Sequence, residues 1–168
     1  MKKLVVFYSR ADEKYFQGQY RYISVGNTEK VAKVIAKATG AELFKIQQKI
    51  PYAPDYQTCI SQAKKDLNNH VRPEIMDIPR DISEYDEVYL GYPNYWGDLP
   101  MAIYTFLEAF KWDGKTIHPF CTHEGSGLGQ TVYKIEKACK GAVVTKGLAI
   151  YGSEAGENED VILDWIRG

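Results

Sequence analysis

Three short stretches carry residues whose types and spacing suit ligand binding. The first is Ser9-Arg10, separated by residues 11–25 from Gly26-Asn27-Thr28. If Gly26-Asn27-Thr28 opens a helix, free backbone N–H groups and the positive end of the helix dipole favour a phosphate there. Ser9, Asn27 and Thr28 add side-chain donors, and Arg10 could grip a phosphate with two parallel hydrogen bonds. The competing reading is a plain helix cap and a surface arginine. The second stretch is Pro93-Asn94-Tyr95-Trp96-Gly97, with Pro100 following. Aromatic faces in such a loop stack on planar ligands. Gly97 allows backbone conformations that other residues avoid. The alternative is a rigid aromatic loop used in packing or dimerisation. The third stretch is Thr122-His123-Glu124-Gly125-Ser126-Gly127-Leu128-Gly129. Its alternating glycines let the backbone approach a ligand closely. His123 reads as a proton donor or ring neighbour, or equally as an ordinary loop histidine. Together the stretches match a flat aromatic ring with a phosphorylated tail.

Alternating strands and helices must position these loops. Leu4 to Tyr8 is a continuous apolar run, as in a strand covered on both faces. Val31, Val34, Ile35 and Ala38 repeat at helical spacing after Gly26-Asn27-Thr28, and Gly40 stops them. A second strand is expected at Glu42 to Ile46. A polar helix follows, capped by Asp55 or Thr58 and running to about Asn69. The third strand is expected at Glu87 to Tyr92, then a helix with Pro100 as its first residue. Thr116 to Cys121 reads as the fourth strand, and Val132, Ile135 and Cys139 mark the next helix. Ala142 to Ile150 reads as one uninterrupted fifth strand, before a last helix through Val161, Ile162, Trp165 and Ile166. The pattern predicts an α/β fold over residues 1–168 as a single domain. It is a doubly wound five-stranded parallel sheet, order 2-1-3-4-5, with helices on both faces. In such a sheet, ligands bind outside the carboxyl ends of the strands, where the strand order reverses. The three stretches fall on that rim.

Bulk properties narrow the partners. Net charge is −1, from 21 basic and 22 acidic residues, which gives no reason to expect nucleic acid or an anionic membrane. Cys59, Cys121 and Cys139 are odd in number and lack CxxC spacing. A disulfide framework or metal site is not expected, and a reducing, cytoplasmic compartment is. The apolar start is too short for a signal peptide, and no stretch approaches a membrane span. The third loop reads GxGxG, not the GxGxxG dinucleotide fingerprint, and follows the fourth strand instead of the first. An NAD-binding Rossmann domain is therefore disfavoured.

These residues resemble the flavodoxin family over essentially the whole chain. Tyr8-Ser9-Arg10 with Gly26-Asn27-Thr28 looks like that family's phosphate-binding loop. Pro93-Asn94-Tyr95-Trp96-Gly97 looks like the loop whose aromatic stacks on the isoalloxazine, and Thr122 to Gly127 like the loop flanking the ring from the other side. The resemblance implies bound FMN, held by Ser9, Arg10, Gly26, Asn27, Thr28, Pro93, Asn94, Tyr95, Trp96, Gly97, Thr122, His123, Gly125 and Gly127. The fifth strand resembles the short-chain form. Two departures stand out. Residues 11–25 interrupt a normally compact phosphate loop, and Tyr15 to Ile23 suggests a β-hairpin beside the cofactor, as in a branch with the pattern SRADE…VGNT. The near-neutral charge also differs from the strongly acidic shuttles. The resemblance implies electron transfer through FMN to a redox partner protein or small acceptor, in a monomer or homodimer. The alternatives are an NAD(P)H-dependent reductase of quinones and, further off, a non-redox binding module. The chemistry would belong to the cofactor, so no catalytic side chain is named.

Overall fold

The computed structural model describes residues 2–16 and 18–168. Met1, before the first strand, and Gln17, in the expected hairpin, lie outside the described residues. The chain runs β1 (Lys2–Tyr8), β2 (Asp12–Phe16), β3 (Gln19–Ile23), α1 (Asn27–Thr39), β4 (Glu42–Ile46) and α2 (Tyr56–Asn68). It continues through β5 (Tyr85–Pro93), α3 (Met101–Glu108), β6 (Thr116–His123), α4 (Thr131–Ala138), β7 (Val143–Val144), β8 (Leu148–Tyr151) and α5 (Glu159–Arg167).

The central sheet is parallel, in the order β4-β1-β5-β6, with β7 and β8 both paired to β6. Numbering only its strands, this is the expected 2-1-3-4-5 arrangement. Side chains of β1 alternate between two cores. Leu4, Val6 and Tyr8 join Ala102, Ile103, Phe106, Leu107 and Ile135 on the face covered by α3 and α4. Val5 and Phe7 join Val31, Ala32, Ile35 and Ile162 under α1 and α5. Burial on both faces explains why β1 reads as an unbroken apolar run.

Helix ends follow local chemistry. Gly40 takes a left-handed φ of 73° at the end of α1, and its N–H returns to the Ala36 carbonyl at 2.9 Å. The Asp55 carboxylate caps α2 by accepting from the Thr58 N–H at 2.9 Å. Pro100 sits just before α3, at its N-cap, instead of inside it.

One expected element is broken. The fifth strand is not continuous from Ala142 to Ile150 but divides around Thr145-Lys146-Gly147. The Thr145 N–H still reaches the Ile117 carbonyl at 2.9 Å, and its hydroxyl bonds His118 Nδ1 at 2.9 Å. The Lys146 carbonyl then turns to accept from the Trp165 indole N–H of α5 at 3.0 Å. A sheet partner is thus replaced by a helix side chain. The expected hairpin is present as a separate antiparallel pair, β2 with β3. Among the described residues, no helix is long and apolar enough to cross a membrane.

Candidate functional site

A cleft of about 460 Å³ opens at the carboxyl ends of β1, β5 and β6, where the strand order reverses. Its size suits a small molecule or cofactor.

The first wall is the start of α1. Gly26 caps the helix without a side chain, and Ser9, arriving from the end of β1, supplies the missing group. Its Oγ accepts from the Glu29 N–H at 3.0 Å. The N–H groups of Asn27 and Thr28, in the first turn, have no acceptor within the helix, and both residues line the cleft at the positive end of the helix dipole. Close approach favours glycine at position 26. A Cβ there would lie 2.1 Å from Ser9 Oγ and 2.7 Å from the Arg10 carbonyl oxygen. Thr28 Oγ1 meets Thr122 Oγ1 at 2.8 Å, locking this wall to the third loop. Asn27 Oδ1 is buried without a hydrogen-bond partner, an acceptor that a ligand hydroxyl would satisfy.

The second wall is the loop after β5. Tyr95 and Asp98 exchange backbone hydrogen bonds at 3.0 and 3.1 Å around Trp96 and Gly97, whose φ values are 57° and 79°. Two consecutive positive φ values fit a type I′ turn, which favours glycine at its second central position and strains tryptophan at its first. Trp96 stands half exposed at the cleft, positioned by its indole N–H donating to the Ile60 carbonyl at 2.9 Å. Lys64 Nζ lies 4.6 Å from the centre of the Trp96 ring. Asn94 ties two walls together. Its Nδ2 donates to the Gly127 carbonyl and its Oδ1 accepts from the Gly97 N–H, each at 2.8 Å. Tyr95 packs edge-on against Tyr8 at 6.0 Å, and burial pushes its phenol well above the ordinary range.

The third wall is the loop after β6. The Gly125 N–H donates to His123 Nδ1 at 2.9 Å, so the neutral ring carries its proton on Nε2. Burial lowers the His123 pKa, which favours that neutral form. Burial also raises the Glu124 carboxyl, against a Ser153 N–H that favours its charge.

Ser9, Arg10, Asn27, Thr28, Pro93, Asn94, Tyr95, Trp96, Gly97, Thr122 and His123 all line one cleft. Gly26 shapes it from behind. Gly125 and Gly127 are outside the lining. They serve it through the His123 and Asn94 hydrogen bonds, and Ser126 between them reaches the surface of the cleft. Arg10 lines the cleft, but its terminal nitrogens are already engaged by the carbonyls of Glu13, Ala53 and Pro54. It fastens the hairpin to the loop before α2 instead of holding out a free fork. The sequence reading missed Gly152, where a Cβ would lie 2.5 Å from Glu124 Oε1 and 2.6 Å from Asn27 Nδ2. It also missed a wall formed by Lys14 and Tyr15 of the hairpin with Tyr56, Cys59, Ile60 and Ala63 of α2.

Free N–H groups at a helix start, an orphan acceptor beside them, an exposed aromatic and a neutral imidazole donor fit a phosphorylated, hydroxylated chain ending in a flat ring. A family model described as flavodoxin matches residues 19–167. A crystal structure from Bacteroides eggerthii, of a protein assigned as a flavoprotein, is 27% identical, with a TM-score of 0.78. The match covers 99% of this chain and 96% of that one. A Lactobacillus acidophilus flavoprotein in complex with FMN shares the fold at 21% identity and a TM-score of 0.64, over 91% of this chain and 95% of the other. No match was found among curated proteins.

Proposed function

The chain belongs to the flavodoxin family, and from that premise we propose that it holds one FMN in the cleft and passes electrons through it. The observation that carries this reading is the convergence of all three loops on one cleft at the carboxyl end of the sheet. FMN supplies the redox chemistry when bound. The protein's part is to bind, orient and shield. The Asn27 and Thr28 N–H groups suit the phosphate, with Ser9 holding the helix start in place. Trp96 and Tyr95 offer the ring an aromatic wall, and His123 Nε2–H offers it a donor. Because backbone carbonyls engage the Arg10 terminal nitrogens, leaving its buried Nε without a partner, the phosphate would be held chiefly by neutral donors and the helix dipole.

A second reading, an NAD(P)H-dependent reductase of a small acceptor, draws support from the extent of the cleft. It runs past the three loops to the wall formed by the hairpin and α2. A cytoplasmic location fits three unpaired, buried thiols. Anaerobic photoreduction of the FMN-reconstituted protein separates the readings. A carrier develops a long-wavelength absorbance that rises and falls midway. A reductase bleaches directly and reacts rapidly with NADPH. Failure to retain FMN overturns both.

A further inference from the structure

We propose that the cleft contains a second compartment, between the β2–β3 hairpin and α2, that binds a planar aromatic anion beside the cofactor; this rests on the loop side holding FMN.

The compartment combines one cation with aromatic and apolar walls. The Lys14 ammonium lines it, and its one hydrogen bond among the described residues goes to the Ala11 carbonyl at 3.1 Å. Among the described residues no carboxylate lies within ion-pair distance of it, Asp12 acting only through its charge. Burial, followed by the charge of Arg10, lowers its pKa to about 7, and an incoming anion would reverse that shift. Tyr56, Cys59, Ile60 and Ala63 fall at i, i+3, i+4 and i+7, so α2 turns one continuous stripe into the cleft. The Tyr15 ring stacks on Tyr56 at 6.0 Å and 22° between planes, leaving Tyr15 38% exposed. A flat ring suits this stripe and tyrosine pair, and an oxyanion suits Lys14. The helix-start donors are held through other elements. Asn27 abuts Gly152, and Thr28 is bound to Thr122, whereas Lys14 is fastened within the hairpin. The hairpin is itself anchored to α2, through Glu13 Oε1 accepting from the Tyr56 N–H at 2.8 Å and Gln57 Nε2 donating to Tyr20 Oη at 2.6 Å. The compartment is therefore built by the insertion.

The test titrates 2-naphthoate, a redox-inert probe, into FMN-loaded protein, followed by calorimetry and the flavin spectrum. Saturable binding of one equivalent is expected. Lys14→Met should weaken it roughly tenfold or more, the scale of a charge-assisted hydrogen bond, with FMN affinity unchanged. The wild-type affinity should fall as pH rises through about 7, where Lys14, beside Arg10, Asp12 and Cys59, loses its proton. No saturable binding, equal binding to the variant, a flat pH profile or displacement of FMN by the probe would each overturn the proposal. If FMN itself fails to bind, the cofactor reading falls separately, and the same titrations on the protein without FMN decide the compartment.

Discussion

Replacing Gly26 by alanine tests whether the phosphate cradle depends on contact distances. Gly26 has φ −65° and ψ 155°, values that alanine adopts freely, so the substitution adds no backbone strain. What it adds is one methyl group, 2.1 Å from Ser9 Oγ, 2.7 Å from the Arg10 oxygen and 2.9 Å from its carbonyl carbon. Ser9 Oγ can rotate away, but it then abandons the Glu29 N–H, a loss of about 1 kcal/mol for a helix cap. The Arg10 peptide cannot rotate alone, so the end of β1 must move from α1, at about 1–3 kcal/mol for overpacking. For a chain of this size the sum predicts a melting temperature lower by roughly 4–15 °C. FMN affinity should fall about tenfold or more, because the donors that converge on the phosphate separate. Thermal unfolding without FMN and flavin-fluorescence titration measure the two effects. Gly26→Ala combined with Ser9→Ala should recover only part of the loss, since the backbone clash persists. Parent-like melting and affinity in the single variant would refute the cradle argument.

Two further outcomes are expected. Trp96→Phe should remove most of the flavin-induced quenching of tryptophan emission, because Trp96 lines the cleft at 50% exposure, whereas Trp112 is buried in the core and Trp165 is bound to the Lys146 carbonyl, neither of them lining the cleft; unchanged quenching would place the ring elsewhere. Glu124→Gln should stabilise the fold at pH 7 but not near pH 4. Burial raises the folded-state pKa of Glu124, so its contribution is intact below the ordinary value of about 4.3 and is lost as pH rises through the folded value. Denaturant midpoints at both pH values check this, and an equal gain at both would remove the titration from the explanation.

Much of the site was legible because its loops are marked by residues with strong local preferences. Proline, glycine and apolar runs delimit β1, β5 and β6, and ligand placement at the reversal of strand order follows from topology. What stayed illegible is tertiary. The stripe Tyr56, Cys59, Ile60, Ala63 has visible helical spacing, yet spacing does not tell which surface it faces. Arg10 reads as a free fork until carbonyls some forty positions later close on it. Gly152 looks like any turn glycine until Asn27 and Glu124 are seen pressed against it. The break at Thr145-Lys146-Gly147 depends on Trp165 from the last helix, which no local pattern announces.

That break also bears on how the molecule meets its own copies. A sheet margin with a long row of unpaired N–H and C=O groups invites another chain to add a strand. Here the margin beyond β6 is cut into ladders of two and four residues. The Lys146 carbonyl between them is occupied by the Trp165 indole, and a lysine stands at the gap. Neither fragment is long enough to template a stable intermolecular ladder. The interruption thus protects this edge against strand addition by another copy.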